Sequence, residues 1–186
     1  MSRIKETKTA FNYRGEKIYE NHRFISAAFD EEKGYLLWVR KRGPRGFSDI
    51  DLPEQVTYAE AGRLTKLSRR MWGDTNMLGY KGNGTIKPYD IEGIGRIVDL
   101  RQRQAYTFVN KMLELGVMAK VKIETKEHKE VQYYLNPLYF FNNTRLSFNL
   151  YLIFREQLNH FLPRWVISKY NEQEREKNAN AKEEDS

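Results

Sequence analysis

The chain has 186 residues, no cysteine and a formal net charge of +7. That length supports one domain with appendages and a sizeable core, and the lack of cysteine excludes disulfides and thiolate zinc sites. No apolar run approaches ~18 residues and the opening MSRIKETKTA has no apolar stretch like that of a signal peptide, so a soluble, cytoplasmic protein without a membrane span is expected.

The charge is unevenly placed. Residues 171–186 hold six acids and three bases, a net of −3, which leaves +10 on residues 1–170. A basic body suits a polyanion partner, and ordinary solubilising charge is the plain alternative.

Residues 1–23 are polar and are expected to be loosely ordered. Residues 24–29 and 35–40 are rich in aromatic and branched side chains and flank a turn-forming DEEKG, which predicts a hairpin. Lys41-Arg42-Gly43-Pro44-Arg45-Gly46 follows. Its basic, turn-rich composition resembles a minor-groove hook with the order changed, and a phosphate-touching loop is the other reading. Thr57 and Glu60 are spaced as a capping box. They open a helix to about Trp72, with Ala61, Leu64, Leu67, Ser68 and Met71 inward and Gly73 as its stop. Gly79, Gly82 and Gly84 place a turn or short hairpin within 78–88, and no Gly-Lys-Ser/Thr ending makes it a P-loop.

From residue 88 the chain reads as helix, tight turn, helix, strand, charged loop, strand. Asp90 can cap the first helix, and Tyr89 and Ile94 stand at hydrophobic-staple positions. Ile91, Ile94 and Val98 make its inward stripe. Gly93 and Gly95 each cost about 1 kcal/mol in a helix interior, so a close helix–helix crossing is the natural reason for Gly95. The second helix begins near Leu100 or Arg101. Ala105, Phe108, Val109, Met112 and Leu113 share one buried face. Arg103, Thr107, Asn110 and Glu114 lie opposite, flanked by Tyr106 and Lys111, and Gly116 is its stop. Val117, Ala119, Val121 and Ile123 then alternate with Met118, Lys120 and Lys122 as in a strand. Polar residues 124–130 separate that strand from a second at 131–135.

Residues 137–141 are strongly aromatic and Asn142-Asn143 turns. A helix is expected over 147–158, with Leu150, Tyr151, Leu152, Ile153 and Phe154 apolar on every side. Its surplus apolar surface fits either the chain's own body or a second copy in a homodimer. After Phe161-Leu162-Pro163, a last helix over about 164–178 uses Trp165, Val166 and Tyr170. The charged tail, 171–186, is expected to be disordered.

No catalytic or metal constellation stands out. His22, His128 and His160 are far apart, and no nucleophile motif is present. The expectation is a protein that is not an enzyme and needs no cofactor or metal.

The helix pair at 90–114 resembles a helix-turn-helix, whose second helix enters the DNA major groove. Gly95, Ile94, Val98, Leu100, Ala105 and Phe108 occupy the expected small and hydrophobic places. Asp99 stands where a turn glycine is usual. Either it adopts the left-handed conformation, or it caps the second helix with Gln102 completing a capping box. The hairpin makes the unit resemble a winged helix with its wing at 124–130. The expected fold class is therefore mainly α with small β-hairpins: an N-terminal extension with a hairpin (1–56), a winged helix-turn-helix domain (57–141), a C-terminal helical segment suited to dimerisation (142–170) and the tail.

In such a unit Arg103 suits a guanine edge, and Asn110, Gln102 or Gln104 an adenine edge. Thr107 suits a thymine methyl or a phosphate, with Tyr106 beside it. Arg101, Lys111, Lys126, His128 and Lys129 suit phosphates. The plain alternative is the wet side of an amphipathic helix. Residues 57–170 further resemble phage and plasmid replication-initiator and regulator proteins of Gram-positive bacteria, including the Firmicute plasmid replication proteins. The resemblance lies in LTKLSRRMWG, LGYK…GTIKPY, RQRQAYTFVNKMLELGVMAKV and YYLNPLYFF followed by LSFNLYLIFREQL. It implies a sequence-specific binder of double-stranded DNA acting as a transcriptional regulator. The alternatives are a replication initiator that recruits host replication or transcription machinery, and a winged-helix adaptor for protein partners.

Overall fold

The computed structural model describes residues 4–12, 14–25, 29–30, 32, 34–36, 50–72, 75–124, 129–141 and 145–184. β1 (Ile4–Phe11) and β2 (Lys17–Ile25) pair antiparallel, although loose order is predicted there. β1, IKETKTAF, places charged residues and threonines where an amphipathic strand would alternate with apolar ones, so no periodic signal marks it. Its turn is built locally: Asn12 Oδ1 accepts from the N–H groups of Arg14 and Glu16, both at 2.9 Å, and Gly15 takes φ 78°. Within the hairpin predicted for 24–40, β3 (Phe29–Asp30) pairs β4 (Gly34–Leu36). The basic stretch 41–46 lies outside the described residues.

α1 (Tyr58–Ser68) opens on the predicted capping box. Glu60 N–H donates to Thr57 Oγ1 at 3.3 Å, and Thr57 N–H to Glu60 Oε2 at 2.8 Å. The helix stops short of Trp72 because β5 (Met71–Trp72) pairs instead with β6 (Met77–Gly82); the predicted stop, Gly73, is not among the described residues. β7 (Thr85–Pro88) folds back on β6 across Asn83 and Gly84, at φ 36° and 86°. Two left-handed residues make this the tight Asn-Gly hairpin turn. Next come α2 (Ile91–Ile97), α3 (Gln102–Glu114), β8 (Met118–Glu124) and β9 (Lys129–Leu135). After β10 (Arg145–Leu146), which pairs β4, the chain ends in α4 (Phe148–Ile153), α5 (Arg155–Leu158) and α6 (Arg164–Glu184).

The mainly helical class expected from the sequence is therefore corrected. Among the described residues ten strands accompany six helices, and the fold is mixed α/β. β5, β6, β9 and β8 lie in that order in an antiparallel sheet to which β7 adds a fifth strand; β10, β4 and β3 form a second sheet. The two strands of the β8–β9 hairpin are legible in the sequence, but the wider sheet is not, because β9 joins β6 through the distant pair Met77↔Tyr134. Tyr133 and Leu135 enter one core while Tyr134 lines the other.

The first core gathers Leu64 and Leu67 of α1, Leu78, Ile94, Val98, Phe108, Val109, Met112, Met118 and Leu135. Each such buried side chain contributes roughly 1.5–3 kcal/mol. The second lies across the sheet and joins Leu138, Phe141 and Leu146 to Leu150, Tyr151, Phe154, Leu158, Val166 and Tyr170. It covers the 150–154 run within one chain, with Leu152 and Ile153 half-buried. Phe154, at φ −118° and ψ 26°, separates α4 from α5. Tyr170 stacks on Tyr151 at 4.1 Å, donates its hydroxyl to Leu146 O at 2.6 Å and accepts from Tyr35 N–H at 3.1 Å. That hydroxyl ties α6 to β10 and β4. α6 also carries the charged residues 171–184 as helix, where disorder is predicted.

Two buried asparagines set the junctions. Asn76, in the left-handed region at φ 57°, donates from Nδ2 to Leu135 O at 3.0 Å and Phe140 O at 2.6 Å. Asn136 donates from Nδ2 to Gly116 O at 2.7 Å, and its Oδ1 accepts from Leu138 N–H at 2.9 Å. Both side chains are fully buried, and buried amides persist where such bonds replace water.

Candidate nucleic-acid interface

α2 begins at Asp90, whose Oδ1 accepts from Gly93 N–H at 2.7 Å. Gly95 lies where α2 crosses α3. A Cβ there would stand 2.9 Å from Ala105 Cβ and 3.0 Å from Leu100 O, so only glycine lets the helices approach this closely. Of the two conformations open to Asp99, the left-handed one is adopted, at φ 55°. Its carboxylate accepts from Lys66 Nζ of α1 at 2.7 Å. That hydrogen bond, then the charge of Lys66, hold Asp99 below the usual carboxylate range. Arg101, not Asp99, is the N-cap of α3, and Gln104 Oε1 accepts from its N–H at 3.2 Å. At the other end Gly116, at φ 65°, closes a Schellman motif: Gly116 N–H donates to Leu113 O and Val117 N–H to Met112 O, both at 3.0 Å. α3 is thus a rod of 13 residues, held at both ends.

Ala105, Phe108, Val109 and Met112 anchor its inner face. Arg101, Gln102, Arg103, Gln104, Tyr106, Thr107 and Asn110 are exposed. Arg103, Tyr106, Thr107 and Asn110, at i, i+3, i+4 and i+7, form a single outward ridge. Thr107 donates its hydroxyl to Arg103 O at 3.1 Å, which leaves its methyl and an oxygen lone pair outward. Gln104 has its carbonyl oxygen engaged at the cap, so it has less to offer an adenine edge than Gln102 or Asn110.

Lys111 is placed differently. It is half-buried and donates to both Glu60 carboxylate oxygens, at 3.0 and 2.8 Å, across the groove between α1 and α3. Arg63, Leu100, Arg103 and Gln104 also line this groove. Desolvation alone would raise the Glu60 pKa; the hydrogen bonds from Lys111 and Thr57 outweigh it, and the net shift is downward. Lys111 therefore ties α3 to α1 through Glu60. Lys129, mostly exposed, pairs with Glu124 directly across the hairpin. Lys126 and His128 lie outside the described residues.

The hairpin adds residues that the sequence reading left aside. In β8, Met118, Lys120 and Lys122 share a face by period two; opposite them stand Leu135, Tyr133 and Val131. Met118, Tyr133 and Leu135 belong to the core beneath α3, so Lys120 and Lys122 point to the helix side. Both are exposed and have no ion pair among the described residues. The alternation was visible in the sequence, but which face meets the helices was not. Burial first, then the neighbouring Tyr106 and Asp90, push the Tyr133 hydroxyl above its ordinary range. The ridge of α3, the start of α2 and the root of the hairpin therefore adjoin.

No group of histidine, aspartate and glutamate among the described residues could hold a metal ion, and no described helix is long and apolar enough to cross a membrane. No protein-family model, curated protein or solved structure matches the chain.

Proposed function

We propose that the chain binds double-stranded DNA in a sequence-specific manner, as a regulator of the phage and plasmid type, with α3 in the major groove and the β8–β9 hairpin alongside. One observation carries this reading. A rod about 20 Å long at 1.5 Å per residue turns Arg103, Tyr106, Thr107 and Asn110 outward, beside Lys120 and Lys122. Arg103 can donate two bonds to guanine O6 and N7, and Asn110 can pair with adenine N6 and N7. The exposed lysines suit phosphates, which orient a protein on the duplex without reading sequence.

The test is selection of preferred sites from random duplexes, followed by affinity measurements on the selected site and on unrelated DNA. Arg103→Ala and Asn110→Ala should each cost about 1–3 kcal/mol on the preferred site and relax its specificity. Lys120→Ala should weaken both duplexes equally. Helix variants that stay folded and keep the site preference would remove α3 as the reader. Genome-wide mapping of bound DNA then separates the roles: promoters indicate a regulator, one origin indicates an initiator, and no sites indicate a protein adaptor.

A further inference from the structure

β6 and β9 run antiparallel, and Met77↔Tyr134 is their single register pair. β9 enters the sheet from its hairpin tip, so β6 leaves the sheet toward that same end. The β6–β7 turn and the Glu124–Lys129 end of β8–β9 therefore lie toward the same end of the sheet. Leu78 is buried in the core beneath the helices, and Tyr80 follows it on the same face, with Lys87 opposite in register. The Tyr80 ring lies 4.9 Å from that of Tyr89, next to the cap of α2. Tyr80 and Lys87 thus share the helix side of the sheet with Lys120 and Lys122, while Lys81 lies on the other face of its hairpin.

Structural need does not explain this hairpin. Residues 80–87 enter neither core, and Tyr80 and Ile86 remain 41% and 48% exposed. Residues 77–88 contain two lysines and no acid. Both lysines are exposed and lack an ion pair among the described residues.

We propose that the β6–β7 hairpin is a second DNA-contacting wing, in which Lys81 and Lys87 meet backbone phosphates of the duplex that α3 reads. One lysine on each face lets the hairpin touch phosphates on either side of a groove. The inference rests on the DNA reading above, and the two can fail separately.

The experiment measures affinity of the full chain against salt, on a selected site and on unrelated duplex. It compares the wild type, the pair Lys81→Ala and Lys87→Ala, the pair Lys81→Arg and Lys87→Arg, and Arg103→Ala. Each phosphate contact contributes about 0.9 to the slope of log affinity against log salt. The alanine pair should therefore lower the slope by roughly 1.8 and weaken both duplexes by one common factor. The arginine pair should keep the wild-type slope. If Arg103→Ala erodes site preference while the alanine pair leaves the slope unchanged, the second wing is refuted and the DNA reading stands. A wild type that binds no duplex overturns both. Should the alanine pair fail to fold, a photo-crosslinker on Thr85→Cys decides, since the chain has no other thiol. Crosslinks to bound duplex support the wing; none from Thr85→Cys, against crosslinks from Lys120→Cys, overturn it.

Discussion

Two helical glycines make a matched experiment on what positions α3. Gly62 lies exposed in the middle of α1, and a Cβ there meets nothing within 4 Å. Alanine exceeds glycine in helix propensity by about 0.8–1.0 kcal/mol, so Gly62→Ala should stabilise the protein by roughly 0.5–1 kcal/mol. Gly95→Ala receives the same propensity gain. Its Cβ, however, arrives 2.9 Å from Ala105 Cβ and 3.0 Å from Leu100 O. Neither neighbour has a rotamer to change, so the backbones must part. Overpacking of that kind costs about 1–3 kcal/mol, which leaves a net loss of up to about 2 kcal/mol and a gap of about 1–3 kcal/mol between the variants. Urea unfolding at constant m reads the difference as a shift of midpoint. At about 2–4 °C per kcal/mol for a chain of this size, thermal melts should show it as well. A Gly95→Ala protein as stable as Gly62→Ala would refute a sterically limited crossing of α2 and α3.

Asn76→Ala leaves the buried carbonyls of Leu135 and Phe140 without their donor and places a Cβ residue without Asn's left-handed tolerance. The expected loss is about 2–4 kcal/mol by chemical denaturation, and a loss below about 0.5 kcal/mol would show that water replaces the amide. Glu60 has a folded pKa below its ordinary value of 4.5, so its contribution is complete above that value and is lost as pH falls through the folded one. Between pH 6 and 3 the wild type should therefore lose more stability than Glu60→Gln; parallel curves would deny the Lys111–Glu60 pair any role.

The helix pair is legible in the sequence because its determinants are local. Asp90 and Gly93 lie within one turn, the inner face of α3 repeats with helical period, and two glycines in a short helix signal a cost that packing must offset. What escapes depends on partners distant in sequence. Asp99 had two local solutions, and the left-handed one is reinforced by Lys66, 33 residues away. Lys111 falls beside the wet face by period, yet its partner Glu60 is 51 residues away, and periodicity gives direction without pairing. Lys120 and Lys122 alternate as strand residues should, and only the packing of Met118 and Tyr133 decides which side they take. β1 and β2 carry no apolar alternation, so composition suggested loose order where backbone pairing and the Asn12 turn make a hairpin.

The stop of α3 has a consequence for the order in which the protein is made. Gly116 O is held by Asn136, Asn136 N–H donates to Val117 O, and the Gln157 side chain closes over Gly116, with Nε2 2.8 Å from where a Cβ would sit. α3 emerges from the ribosome before these groups do. At about 5–20 residues per second, Gln157 follows Gly116 by roughly 2–8 s. During that interval the nascent helix has its Arg101 cap and its own Schellman bonds, while its stop still awaits the Gln157 side chain. The C-terminal third of the chain therefore completes the surroundings of the helix stop, and a chain ending at residue 141 would keep the Asn136 bonds to Gly116 and Val117 while lacking Gln157.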